Sequence, residues 1–158
     1  MKKYEFTGET KEIRLLFRTA TLHRIRATVA FGIVEVGDLG GWIEKEENLS
    51  HEGKAWVCGD AEVWGNAKVW GNAKVCGDAE VFSASHVLVI GAIGSRNDFT
   101  TFYRDKDNEI TVKCGCFLGK IDRFLEKVTQ THGDSKYALV YRAAVEVAKL
   151  QIELTERK

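Results

Sequence analysis

Between Gly53 and Leu88 the polar and apolar positions recur every six residues, as GKAWVC, GDAEVW, GNAKVW, GNAKVC, GDAEVF and SASHVL. All but the last unit keep the frame G-x-A-x-V-x. An internal period of this kind constrains the fold before any single residue is weighed. Ala and Val stand two apart, so in an extended segment both point to one side. Gly followed by Asn or Asp supplies residue types that tolerate left-handed backbone at a corner. The pattern therefore predicts short strand, corner, short strand. Upstream, Ile13–Phe17, Leu22–Ala27 and Ile33–Val36 read as short strands, and Ile43 and Leu49, again six apart, suggest an irregular coil before the regular ones. After Leu88 the period breaks. Val87–Ile90 is a near-continuous apolar strand, and Phe99–Arg104 with Glu109–Phe117 alternate as a hairpin closed at Asp105–Asn108. Ile121, Phe124, Leu125 and Val128 then follow helical spacing up to His132-Gly133. A second helix is expected from Asp134 or Ser135 to about Leu154, with Tyr137, Val140, Tyr141, Ala144, Val147 and Ala148 on its apolar face.

The hexads resemble the hexapeptide-repeat family, whose fold is a left-handed parallel β-helix; a right-handed β-solenoid is the rival. The resemblance implies a mainly β fold: a short left-handed parallel β-helix of about two coils followed by a small α+β lobe with two C-terminal helices. The expected divisions are 1–52 as an irregular β capping region, 53–88 as the β-helix and 89–158 as the α+β lobe. If three units make one turn, residues 18 apart stack at roughly 4.8 Å. Cys58 then lies under Cys76, Trp56 under Lys74, Trp64 under Phe82 and Trp70 under Leu88. Trp64, Trp70, Phe82 and Leu88 would face outward, and aromatics of that size need cover. Because the family commonly assembles around a threefold axis, a homotrimer is expected to cover them; the alternative is that the C-terminal helices do so within a monomer. Two coils alone bury little core, so flanking segments or other subunits must complete it.

Charge changes the picture locally but not globally. The 158 residues carry 23 basic and 23 acidic groups, so nothing overall calls for nucleic acid or membrane. Residues 1–27 hold seven Lys or Arg against three Glu, and residues 28–52 hold six acidic residues against one Lys, which predicts that the two stretches face each other. A basic face of Arg14, Arg18, His23, Arg24 and Arg26 is the phosphate or nucleic-acid alternative. No signal peptide and no long apolar span is evident, so a cytoplasmic location with reduced cysteines is expected. Proline is absent, leaving the corners to Gly, Asn and Asp.

The best candidate for a ligand loop is Gly91-Ala-Ile-Gly94-Ser95-Arg96-Asn97. Its glycines let backbone amides approach an anion, Ser95 offers a hydroxyl and Arg96 a fork. It has neither the helix of a dinucleotide fingerprint nor the ending of a P-loop, so it reads equally as a glycine-rich turn with an exposed Arg. With Thr101, Tyr103, Arg104 and His132, the residues Gly94, Ser95, Arg96 and Asn97 form the expected site for a small anion such as a nucleotide. Cys114-Gly-Cys116 suits neither a vicinal disulfide nor the usual zinc spacing, so no metal and no cofactor is expected. Acyltransferases of the hexapeptide-repeat family use a histidine base in a cleft between subunits, and His86 or His51 would take that role here. Their coils are typically longer, which counts against the carry-over.

Over nearly its whole length, through TLHRIRA, GDLGGWIEKEENLSHEG, AWVCGDAEVWGNAKV, VIGAIGSRNDFTTFYR and CGCFLGKIDRF, the chain resembles small hexapeptide-repeat proteins encoded by phages and prophages. The resemblance implies a non-catalytic oligomeric binding protein acting in the host cytoplasm, holding a nucleotide-like signal or blocking a host defence protein. A coenzyme-A-dependent acyltransferase and a structural assembly protein are the alternatives.

Overall fold

The computed structural model describes residues 2–156. Two long strands, β1 (Tyr4–Arg14) and β2 (Thr19–Ala27), pair antiparallel, and β3 (Leu39–Ile43) pairs antiparallel with β2. The segment 33–36, expected as a strand, is instead a turn held by the Phe31–Val34 bridge. In the hexads, β4 (Trp56–Val57), β5 (Glu62–Val63), β6 (Lys74–Val75) and β7 (Glu80–Val81) are two residues each. They pair parallel at the 18-residue interval, Trp56 with Lys74, Val57 with Val75, Glu62 with Glu80 and Val63 with Val81. Parallel contacts extend upstream of the hexads, where Ile43 pairs with Val63 and Leu49 bridges to Val69. All five hexad glycines, 53, 59, 65, 71 and 77, have φ between +61 and +69°, the left-handed corner that the pattern requires. The Ala and Val of the first five units point inward and form one core with Ile43, Leu49 and Tyr103.

The fold class nevertheless differs from a left-handed parallel β-helix. The strands form a five-stranded mixed sheet in the order β1-β2-β3-β5-β7, a two-stranded parallel sheet β4-β6, and a four-stranded antiparallel sheet, with two helices beside them. Parallel pairing is confined to the short strands β3 to β7 and the Leu49–Val69 bridge, while the long strands pair antiparallel. The physical reason lies in length. A six-residue unit leaves about two residues per strand between corners, whereas the flanking segments make hairpins seven to eleven residues long that supply most of the ladder.

The antiparallel sheet runs β11-β10-β9-β8 and is built from β8 (Val87–Ile93), β9 (Asp98–Arg104), β10 (Ile110–Cys114) and β11 (Phe117–Lys120). Strand β11 was not anticipated. It follows a two-residue turn at Gly115-Cys116, where Cys114 pairs with Phe117. Helices α1 (Ile121–His132) and α2 (Lys136–Gln151) follow, the first stopped at Gly133, whose N–H donates to the Thr129 carbonyl. The sheet is sandwiched. Phe102 and Val112 pack with Phe124, Val128, Tyr141 and Val145 on the helix side, while Tyr103 enters the hexad core and its hydroxyl donates to the Cys76 carbonyl at 2.8 Å. Alternation along β9 thus joins the two halves.

The charge asymmetry resolves within the chain. Arg18 pairs with Glu44 at 2.5 Å and Lys2 with Glu46 at 3.1 Å, joining the basic stretch to the acidic one. Arg26 pairs with Glu5, and Arg24 donates to the Gly40 carbonyl while lying over the Trp42 ring.

Candidate functional site

One end of the antiparallel sheet brings two turns together. The β8–β9 turn is closed by the Asn97 N–H donating to the Gly94 carbonyl, and the β10–β11 turn carries Gly115. The Arg96 guanidinium reaches across to the second turn, so that a Cβ on Gly115 would stand 3.2 Å from its Nη1. The last turns of α1 close the third side. The result is a cavity of about 240 Å³ lined by Ser95, Arg96, Asp98, Cys114, Cys116, Phe117, Phe124, Lys127, Val128, Thr131, His132 and Tyr141.

Gly94 is required here for two reasons. Its φ is +81°, and a Cβ would fall 1.9 Å from the Tyr141 hydroxyl. Tyr141 anchors the wall: its ring meets Phe124 edge-on at 5.6 Å and stacks on His132 at 5.8 Å. Burial, and then the neighbouring Cys114 thiol, push the Tyr141 phenol up to about 12, so it stays a neutral hydrogen-bonding group at physiological pH. Thr100, on the adjacent strand, donates its hydroxyl to the Cys114 sulfur at 3.4 Å. Chemically the cleft offers two cations, Arg96 and Lys127, one carboxylate, Asp98, and the hydroxyls of Ser95 and Tyr141 over an aromatic floor. That combination suits an anion with an apolar body.

Of the expected site residues, Ser95, Arg96 and His132 line this cleft, with Gly94 and Asn97 forming its turn. Thr101, Tyr103 and Arg104 stand elsewhere. Thr101 Oγ1 accepts the Lys74 N–H at the hexad face, and Tyr103 is buried in the core. Arg104 is 2% exposed and donates to the carbonyls of Glu80 and Thr155, with its guanidinium over the Phe82 ring. Burial lowers its pKa, and the carboxylates of Glu80, Glu156 and Asp105 oppose that. It is a structural tie between the hexads, β9 and the C-terminal tail. Lys127, Cys114 and Tyr141 were not anticipated as lining. Lys127 does lie beside Val128 at the edge of the apolar stripe of α1, but a helical stripe does not say where the stripe's edge lands.

The two candidate histidine bases are both engaged. His86, expected on an outward face, is fully buried. Its Nδ1 accepts the Phe82 N–H, which puts the proton on Nε2, 2.8 Å from the Thr155 hydroxyl. Burial first, and then the Arg104 charge, push its pKa down to about 4. His51 stacks on Tyr4, accepts the Lys3 N–H at Nδ1 and meets Glu46 through Nε2. Neither ring opens onto the cleft.

The outward aromatics divide. Trp64 is 2% exposed, stacked on Phe82 at 4.9 Å and covered by Ile13, Ala20, Leu22 and Trp42, so the β1–β2 hairpin does what another subunit or the C-terminal helices were expected to do. Trp70 is 71% exposed, and with Leu88, Val89 and Phe99 it borders an apolar groove. Cys58 and Cys76, expected reduced, are joined as a disulfide, with Cα atoms 4.5 Å apart across the parallel stack.

No helix among the described residues is long and apolar enough to cross a membrane. No family model matches the chain, and no curated protein matches it.

Proposed function

We propose that this chain is a binding protein for a small, partly apolar anion, held between the two turns at the end of the antiparallel sheet and helix α1. The observation that carries the reading is the convergence of Ser95, Arg96, Lys127, His132 and Tyr141 on one cavity floored by Phe117 and Phe124. Arg96 supplies the fork for phosphate or carboxylate, Lys127 a second charge, and the aromatic floor receives the ligand's flat portion. Binding rather than acyl transfer is favoured because His86 and His51 already spend both ring nitrogens on structural partners. As the biological use we propose sequestration of a nucleotide-like host signal in the cytoplasm, a reading that rests on the resemblance of the sequence to phage-encoded hexapeptide-repeat proteins.

Native mass spectrometry of the purified full chain, before and after denaturation, is the test. Extra mass lost on denaturation, and missing from an Arg96→Met, Lys127→Met double variant that keeps its circular dichroism, is the expected result. Extra mass retained by that variant overturns this site.

A second reading, self-association, is favoured by the exposure of Trp70 beside Leu88 and Phe99. Trp64 and Phe82 no longer contribute to it, which leaves the Trp70 face alone to form the expected trimer. Sedimentation equilibrium checks it: an oligomer that a Trp70→Glu variant converts to monomer supports the assembly, and a wild-type monomer sinks it.

A further inference from the structure

A second cleft, sharing no residue with the first, lies between the β2–β3 connection, the wall of β4 and β6, and the end of β10. Its volume is about 310 Å³, at the lower end of ordinary ligand pockets. Phe31, Ile33, Val34, Leu39 and the edge of Trp56 make it apolar. Three ammonium groups, Lys54, Lys74 and Lys113, line it as well.

The charges there are only partly balanced among the described residues: Asp98, Cys114 and Cys116, on the side of the first cleft, favour the charged form of Lys113. Among the described residues no carboxylate lies within ion-pair distance of Lys54, Lys74 or Lys113. Among the described residues the acid on the rim is Asp38, which accepts the Glu35 N–H at 2.9 Å and offsets one of the three positive charges. Lys113 is half-buried and donates to the Gly115 carbonyl; burial, and then the like charge of Lys74, hold its pKa below the usual lysine range. Behind the apolar wall a fourth cation adds to the field. Lys3 Nζ sits 4.7 Å from the Phe31 ring centroid and donates to the Ala55 carbonyl. Phe31 in turn meets Trp56 edge-on at 5.2 Å, which fixes the ring at the mouth of the cleft.

Like charges gathered in an apolar concavity repel one another, and the field they focus is relieved by a counter-anion. Ammonium groups act as point charges without the planar fork of Arg, and a set of three suits the dispersed oxygens of phosphates better than a single carboxylate. We propose that this cleft is a second anion site, taking a phosphorylated small molecule of at least two negative charges, with its phosphates among Lys54, Lys74 and Lys113 and its flat apolar portion against Phe31 and Leu39. The site adjoins the Arg96 cleft at the Gly115 turn, to whose carbonyl Lys113 donates, but none of its three lysines lines that cleft.

Isothermal titration of the full chain with ADP, and with inorganic pyrophosphate as the minimal probe, tests it. The expected result is that Lys74→Met with Lys113→Met weakens ADP at least tenfold, and that Lys54→Met, on an exposed side chain that folding does not need, weakens it several-fold. In the background of Arg96→Met with Lys127→Met, which strips the first cleft of its cations, ADP should still bind and the lysine substitutions should still weaken it at least tenfold. Three results overturn the proposal: no binding of either probe to the wild type, equal binding to the lysine variants, or loss of ADP binding in the Arg96 and Lys127 variant alone. Tighter binding of a single-stranded oligonucleotide than of ADP also overturns it, since the lysines would then track a polymer backbone.

Discussion

The hexad segment and the C-terminal lobe reach buried cores by opposite means. In the five regular hexads the third and fifth side chains, Ala and Val, point inward, the strands are two residues long, and the corners are left-handed glycines. In the lobe the core is built around the rings of Phe102, Phe124 and Tyr141 with branched residues such as Val145, fitted against Ala138, Ala144 and Ala148 of α2, on longer strands and two helices. The repeat fills its interior with many small identical contributions and depends on neighbours to cover its outer face. The lobe fills its own interior with a few large ones, and it leaves clefts at its edge. Both candidate anion sites accordingly border the antiparallel sheet, the first at its turns and the second where Lys113 meets the hexad wall.

The sharpest way to break the comparison is at the outward face of the repeat. Trp64 and Trp70 occupy the same position of successive units, yet one is covered and the other exposed. Trp64→Ala is expected to lower the unfolding free energy by about 3–5 kcal/mol, as for large buried aromatics. Trp70→Ala in the monomer should stay within about 0.5 kcal/mol. Urea titrations of the two variants measure the difference, and equal losses would mean that the β1–β2 hairpin does not cover the face as described.

A smaller effect is expected where the two regions are tied by His86. Its pKa is near 4 in the folded chain and near 6.5 when unfolded, so between those values the unfolded state binds more protons. The stability from the neutral, buried imidazole is therefore complete above pH 6.5 and is lost as pH falls toward 4, a change on the order of 3 kcal/mol. Urea midpoints from pH 7 to 4.5 should fall in the wild type and fall less in a His86→Gln variant. Parallel curves would show that carboxylates, not His86, govern the acid limb. Asp105 is one such carboxylate: burial raises its pKa, but hydrogen bonds from Thr111, Lys120 and the N–H groups of Glu109 and Asp107 outweigh that and hold it below its usual value.

The corners of the repeat give the smallest and most graded test. At Gly53 a Cβ would lie 2.8 Å from the Gly71 carbonyl oxygen, whereas at Gly71 it would meet nothing within 4 Å, although both have positive φ. Gly71→Ala should cost about 1–2 kcal/mol for the left-handed backbone alone, and Gly53→Ala measurably more because carbonyl contact adds to it. Thermal melts that rank the pair in reverse would indicate that the coils are not stacked in this register.

Much of the fold was legible where a local rule acts alone. The glycine corners, the inward Ala and Val, the 18-residue pairing, the β9–β10 hairpin and both helices follow from period and residue type, and they appear at the expected positions. Strand β11 escaped because Gly115 interrupts a run that otherwise reads as one strand. The repeat points to a parallel β-helix, but the long antiparallel pairs β1–β2 and β8–β9 carry more of the backbone pairing and set the sheet class. In the first cleft, Ser95 and Arg96 were legible from the glycine-rich turn. Lys127 and Tyr141 were not, since helical spacing identifies a buried face but not which strand turn lies opposite its end.

The sequence by itself determined the elements, because backbone preference at Gly and the alternation of apolar side chains act within a few residues. Only the tertiary structure decided what covers them and which charges meet. That Trp64 lies under a hairpin while Trp70 stays exposed, that His86 is sealed by Thr155, and that Lys54, Lys74 and Lys113 share one cleft all depend on contacts between residues distant in the chain. Such contacts are set by packing and by the pairing of buried polar groups across the whole core, and no local pattern encodes them.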